Sequence, residues 1–92
     1  MDTIDAIIRL AKLGRTDSGA SGAARSVLVY AWNPHWPIRE LYRLDIENRR
    51  SALIIIDHAL YIEDEIIKKL VPEISDWAIE QEELEMSGRE KI

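Results

Sequence analysis

Ninety-two residues without a cysteine, with twelve Lys/Arg against seventeen Asp/Glu for a net charge of −5, fit one small domain and exclude disulfides and thiolate metal sites. No apolar run approaches the roughly 18 residues of a membrane span, and the acidic start Met1-Asp2-Thr3-Ile4-Asp5 lacks the basic n-region of a signal peptide. The charge is uneven: residues 1–50 hold eight bases and six acids, a net of +2, whereas residues 51–92 hold four bases and eleven acids, a net of −7.

The first helix is expected from about Thr3 to Leu13, capped by Asp2 or Thr3, with Ile4, Ile7, Ile8 and Ala11 as its apolar stripe, Leu10 widening it, and Gly14 as its stop. Gly14–Gly22 reads as a loop, because three glycines with Ser, Thr and Asp make a helix entropically costly. Ser18 or Ser21 would cap a second helix with the stripe Ala24, Val27, Leu28 and Ala31, which Asn33-Pro34 ends. Pro34-His35-Trp36-Pro37 is a rigid corner, and Pro37 suits the first position of a short helix over Ile38–Tyr42. Asp45 then caps a helix from Ile46 to about Leu60. Apolar on two sides (Ile46, Leu53, Ile54, Leu60 and Ala52, Ile55, Ile56, Ala59), it is expected to be the buried centre. A further helix is expected over Ile62–Leu70, and a last one from Pro72, with Ile74, Trp77, Ala78 and Leu84 on its apolar side and Gln81 falling within that stripe. The core contains no Phe and must rest on aliphatic residues anchored by Trp and Tyr. Together these elements predict an all-α fold: a compact bundle of four to six short helices around helix 46–60, one domain over residues 1–86 and a frayed tail over 87–92.

No catalytic or metal-binding constellation stands out. His35 and His58 have no partner at the spacing of a zinc site, and the serines lack a nucleophile elbow. The glycine loop lacks the lysine of a phosphate-binding loop, and the pairs Glu63-Asp64-Glu65 and Glu82-Glu83 read as a solvated face. No catalytic residue, metal or cofactor is expected, and the chain is read as a non-enzyme.

Two surfaces are candidates for partner binding. One is the acidic run Glu73, Asp76, Glu80, Glu82, Glu83 and Glu85, with no base between Lys69 and Arg89. The other is the aromatic and arginine corner Trp32, His35, Trp36, Arg39 and Arg43. Residues 37–60 also have the outline of a helix-turn-helix, with Arg49 and Arg50 early on the second helix as nucleic-acid contacts. The shared Asp45, Glu47 and Asp57 and the acidic total argue against that alternative.

The blocks Gly19-Ala20-Ser21, Leu28-Val29-Tyr30-Ala31-Trp32-Asn33 and Leu41-Tyr42-Arg43-Leu44-Asp45 resemble a family of small proteobacterial proteins forming a domain of unknown function. That family reads T-G-Q-S, L-L-A-W-W-N and L-x-D-L-W-x-L-D. Gly19, Ser21, Leu28, Trp32, Asn33, Leu41, Leu44 and Asp45 match it. Tyr30, Ala31 and Tyr42 depart from it, and the linker is shorter and carries Pro34 and Pro37. The resemblance spans the first two-thirds of the chain, and the acidic last third departs from it. It implies a shared fold and carriage on phages, plasmids or integrated elements, without an established activity.

These readings converge on a small acidic cytoplasmic factor of a phage or mobile element that binds a host protein or complex. By analogy with anti-CRISPR-type inhibitors, its acidic helix would imitate nucleic acid on a defence complex. Membrane contact and direct nucleic-acid binding are not expected. A homodimer is open, because a small core and a very apolar helix can leave a patch uncovered.

Overall fold

The second helix, Ser21–Trp32 (α2), is the element on which all the others pack. The computed structural model describes the backbone of residues 1–90 and the side chains of residues 1–87. Its helices are α1 (Thr3–Gly14), α2, α3 (Ile46–His58), α4 (Asp64–Leu70) and α5 (Ile74–Glu90), with 3₁₀ turns at Leu41–Arg43 and Ala59–Tyr61. No strand occurs among the described residues, so the fold is all-α.

The expected centre, helix 46–60, is corrected to α2. Eight of the twelve α2 residues are buried and none is fully exposed. Its buried set (Ala23, Ala24, Ser26, Val27, Leu28, Val29, Ala31 and Ser21) is small, so neighbouring backbones can approach on several sides. α3 buries only Ser51, Ala52 and Ile55, while Ile46 and Leu53 are exposed. The run Leu53–Ile56 steps about 100° per residue, so four consecutive apolar side chains cannot all face one core.

Local signals set most helix ends. The Asp2 carboxylate accepts the Asp5 amide at 2.8 Å, and Asp45 accepts that of Asn48 at 2.9 Å, each meeting one orphan donor. Asn33 is extended and closes α2 as expected before a proline. No serine side chain caps α2; Ser21 begins it and donates to the Ser18 carbonyl. On α1 the buried stripe is Ala6, Ile7, Leu10, Ala11 and Gly14, turned partly away from the expected one, so Ile4 and Ile8 are about half exposed. Gly14 is the last residue of that helix and has no positive φ. Its bareness serves a close approach instead, since an added Cβ would lie 3.0 Å from Trp77 and 3.1 Å from Arg25.

Four expected boundaries move. No α-helix forms over 38–42, because Glu40 takes a left-handed φ of 54° and only the 3₁₀ turn 41–43 follows. α3 gives way to the second 3₁₀ turn at Ala59, and α4 starts at Asp64, after an extended Ile62. α5 starts at Ile74, two residues beyond Pro72, because the Ile74 amide first closes a turn onto the Val71 carbonyl. It then runs to Glu90, through much of the expected tail, whose residues 91 and 92 lie outside the described residues.

A buried polar node ties the irregular segment 33–40 to the bundle. Ser26 Oγ donates to the Ala23 carbonyl at 2.8 Å and accepts the Arg39 amide at 3.0 Å, while Arg39 Nε donates to Gln81 Oε1 on α5 at 3.2 Å. Ser26 and Gln81 are both buried, so losing a partner strands a buried polar group. Ser26→Ala is expected to lower stability by about 1–2 kcal/mol by orphaning the Arg39 amide. Ser51→Ala, which removes only a bond back to the Glu47 carbonyl and one to the Met1 sulfur, should stay within about 0.5 kcal/mol. Urea midpoints at constant m-value check both, and equal losses would refute the difference in role.

Candidate functional site

The acids of α5, with Glu73 just before it, do not form one face. Glu73 faces Arg15 at the end of α1: Arg15 Nε donates to Glu73 Oε2 and its terminal nitrogen to Oε1, both at 2.9 Å, while that nitrogen also reaches the Leu70 carbonyl at 3.2 Å. Glu80 lies against Arg25 of α2 at 3.2 Å. Both contacting atoms are closed off from solvent but misaligned for a hydrogen bond, so the contact is coulombic. Asp76 and Glu83 point to solvent, and Glu82 and Glu85 turn to the opposite flank. Glu73 and Glu80 therefore help to hold the fold together.

On that opposite flank the two candidate surfaces meet. His35, Trp36, Glu82, Glu85 and Met86 line a cleft of about 310 Å³ between the proline corner and α5. The His35 amide donates to Asn33 Oδ1 at 3.1 Å, and its ring sets edge-on to Trp36, with centroids 5.3 Å apart. Trp36 is half-buried against the core, which fixes one side of its indole and leaves the other to the cleft. Arg39 ties the corner to α5 through its bond to Gln81. A fixed aromatic ring beside carboxylates is a setting for a cationic side chain, through ring quadrupole and charge together.

The remaining corner residues lie elsewhere. Trp32 packs against the core. Arg43 is paired with Glu40 at 3.1 Å and lies 5.8 Å from the exposed Tyr42 ring. Its guanidinium is made more basic by Tyr42 first and Glu40 next, so it stays a fixed cation.

The helix-turn-helix outline lacks its first helix, as segment 37–40 is irregular. Arg49 donates to the Leu44 carbonyl at 2.9 Å, and Arg50 is 3.5 Å from Glu47. His58 is exposed, with Nδ1 2.8 Å from the Ile54 carbonyl. Among the described residues, no group of three His, Cys, Asp or Glu side chains is placed to hold a metal, and no helix is long and apolar enough to cross a membrane.

Sequence reasoning missed Ser26, Arg15 and Arg25, whose partners are remote in sequence. Gln81 carried a signal, a polar residue inside an apolar stripe, and Met86 lay at the boundary of the expected tail.

The architecture is that of a small all-α protein built on a small-residue central helix. The chain belongs to a family of unknown function (DUF7673), matched over residues 4–84. The match takes in Glu73, Asp76, Glu80, Glu82 and Glu83, so the acidic helix is not an addition outside the family, as the two-thirds resemblance had implied. No curated protein and no solved structure matches the chain.

The Glu73 carboxyl is held below its ordinary range, foremost by the hydrogen bond from Arg15 and against the cost of burial. A carboxyl lowered on folding contributes stability above its unfolded value, and that contribution fades as pH falls through the lowered one. Both side chains are partly exposed, so the pair is worth about 0.5–1 kcal/mol after screening. Arg15→Met is expected to cost that amount near neutrality, and the gap from wild type should narrow in acid below the ordinary carboxylate range. Urea midpoints at the two pH values measure it; a gap independent of pH would mean that Glu73 does not titrate against Arg15.

Proposed function

We propose that this chain is a non-enzymatic protein-binding factor that takes hold of a basic surface of its partner through the cleft between α5 and the proline corner. The observation that carries this reading is the cleft itself, where Trp36 and His35 face Glu82 and Glu85. A partner arginine or lysine would lay its charge against the indole and between the carboxylates, with the solvent-facing Asp76 and Glu83 of α5 adding long-range attraction. The Ser26–Arg39–Gln81 node supports it by fixing the corner against the helix before any partner arrives, which lowers the ordering cost of binding.

The reading extends to an inhibitor carried by a phage or mobile element, acting in the cytoplasm on a host complex that handles nucleic acid. The support is the net charge of −7 on residues 51–92. Such an inhibitor would use the exposed Asp76, Glu82 and Glu83, because Glu73 and Glu80 already face arginines of this chain.

Asp76→Lys/Glu82→Lys/Glu83→Lys leaves both internal ion pairs in place, so helical content by circular dichroism should be unchanged. The expected outcome is capture of a partner from nuclease-treated host lysate by the wild type, lost in this triple variant and weakened at least about tenfold by Trp36→Ala. Capture that survives the charge reversal, or that nuclease treatment abolishes, would overturn the reading.

A further inference from the structure

The side of the bundle formed by α1, α3, the second 3₁₀ turn and α4 exposes more apolar surface than a lone domain of this size needs to. Leu60 and Tyr61 are 87% and 82% exposed, and Ile4, Ile8, Leu53 and Ile66 add to them. These six residues expose on the order of 600 Å², at the upper end of the largest patch on a typical monomer. That is most of the roughly 800 Å² that one partner gives to a standard interface. Four of the six border two adjoining crevices. Ile4, Tyr61, Ile62 and Ile66 line a crevice of about 180 Å³ with His58, and His58 also borders the neighbouring apolar crevice at Leu53. Ile8 stands one turn from Ile4 on the same exposed side of α1.

The charges around this surface say what covers it. Counting its cap, α1 carries two acids at its start, Asp2 and Asp5, and two bases towards its end, Arg9 and Lys12. α4 repeats the order, with Asp64 and Glu65 first and Lys68 and Lys69 last. A helix with acids at one end and bases at the other is complementary to its own copy laid antiparallel. A two-fold axis produces that arrangement, bringing each residue i to meet j and each j to meet i. The α5 side, with Asp76, Glu82 and Glu83 exposed, would repel its own copy.

We infer that the chain forms a two-fold symmetric homodimer through this face. α1 lies antiparallel to its copy: Ile4 and Ile8 pack at the axis, Tyr61 and Leu60 fill the flanks, and Asp5 of each copy faces Arg9 and Lys12 of the other. The α5 clefts remain outside the interface, so the dimer and the partner-binding reading stand or fall separately.

Sedimentation equilibrium of the full chain tests this. Wild type is expected to reach dimer mass in the micromolar range. Tyr61→Glu should raise the dissociation constant at least about 30-fold, whereas Ile79→Glu, on exposed α5 surface, should leave it unchanged. Both sites are exposed, so each variant is expected to fold, which circular dichroism checks. Orientation is tested with Asp5→Lys and Arg9→Glu. Each alone should self-associate more weakly than wild type, and an equimolar mixture should regain dimer mass, since only the mixed dimer pairs opposite charges at both contacts. A wild type that stays monomeric throughout the micromolar range overturns the proposal, as does a dimer indifferent to Tyr61→Glu. Failure of the mixture to recover refutes the antiparallel α1 pairing.

Discussion

The size of the side chains on α2 governs the rest of this structure. A helix surrounded on nearly every side must let several backbones come close, and that requires Ala, Ser and Val where an ordinary surface helix carries charge on one face. Ala23, Ala24 and Ala31 supply the narrow positions, while Val27, Leu28 and Val29 fill the spaces between neighbours. A chain without Phe is suited to this plan, because its volume is spread over many aliphatic residues. The same plan spends much of the apolar content of the chain on one helix. α1, α3 and α4 turn one side each towards α2 and leave Ile4, Leu53 and Ile66 facing outwards. The large exposed apolar surface is thus a consequence of how the centre is built.

The polar contacts follow from that arrangement too. Closing elements around α2 brings the end of α1 beside the start of α5, and Arg15 and Glu73 convert the proximity into a two-pronged ion pair. The segment 33–40 has few backbone partners of its own, since Glu40 interrupts it at a positive φ. It is held by Ser26, which replaces a missing ladder bond, and by Gln81, which accepts from Arg39. A buried serine and glutamine therefore do for the corner what a regular helix would otherwise have done.

Events decided within a few residues were legible in the sequence. Asp2 and Asp45 cap their helices because a carboxylate three residues before a free amide needs no tertiary help. Asn33 ends α2 because the following proline excludes the helical region. What failed was the choice of centre. Isoleucine is more apolar than alanine, so Leu53–Ile56 outweighed Ala23–Ala31, although burial depends on what surrounds a helix and small residues permit more neighbours. The α1 stripe held at Ile7, Leu10 and Ala11 but erred at Ile4 and Ile8 for a related reason: the expected and observed sets share a period, and only the tertiary docking selects between them.

The candidate site was half legible, and the missing half alters its meaning. Both surfaces were visible as compositional features, Trp36 and His35 between prolines and a run of acids on one helix. Their meeting was not, because it depends on α5 returning across α2 to lie beside a corner over forty residues earlier. Nor could composition distinguish acids that bind this chain from acids that face outwards. Glu73 and Glu80 each meet an arginine at the α1 and α2 side, whereas Asp76, Glu82 and Glu83 are exposed. A uniformly acidic helix would attract any basic surface at a distance. One whose outward charge is gathered beside a fixed indole can require a cation at a particular place, which is the difference between attraction and recognition.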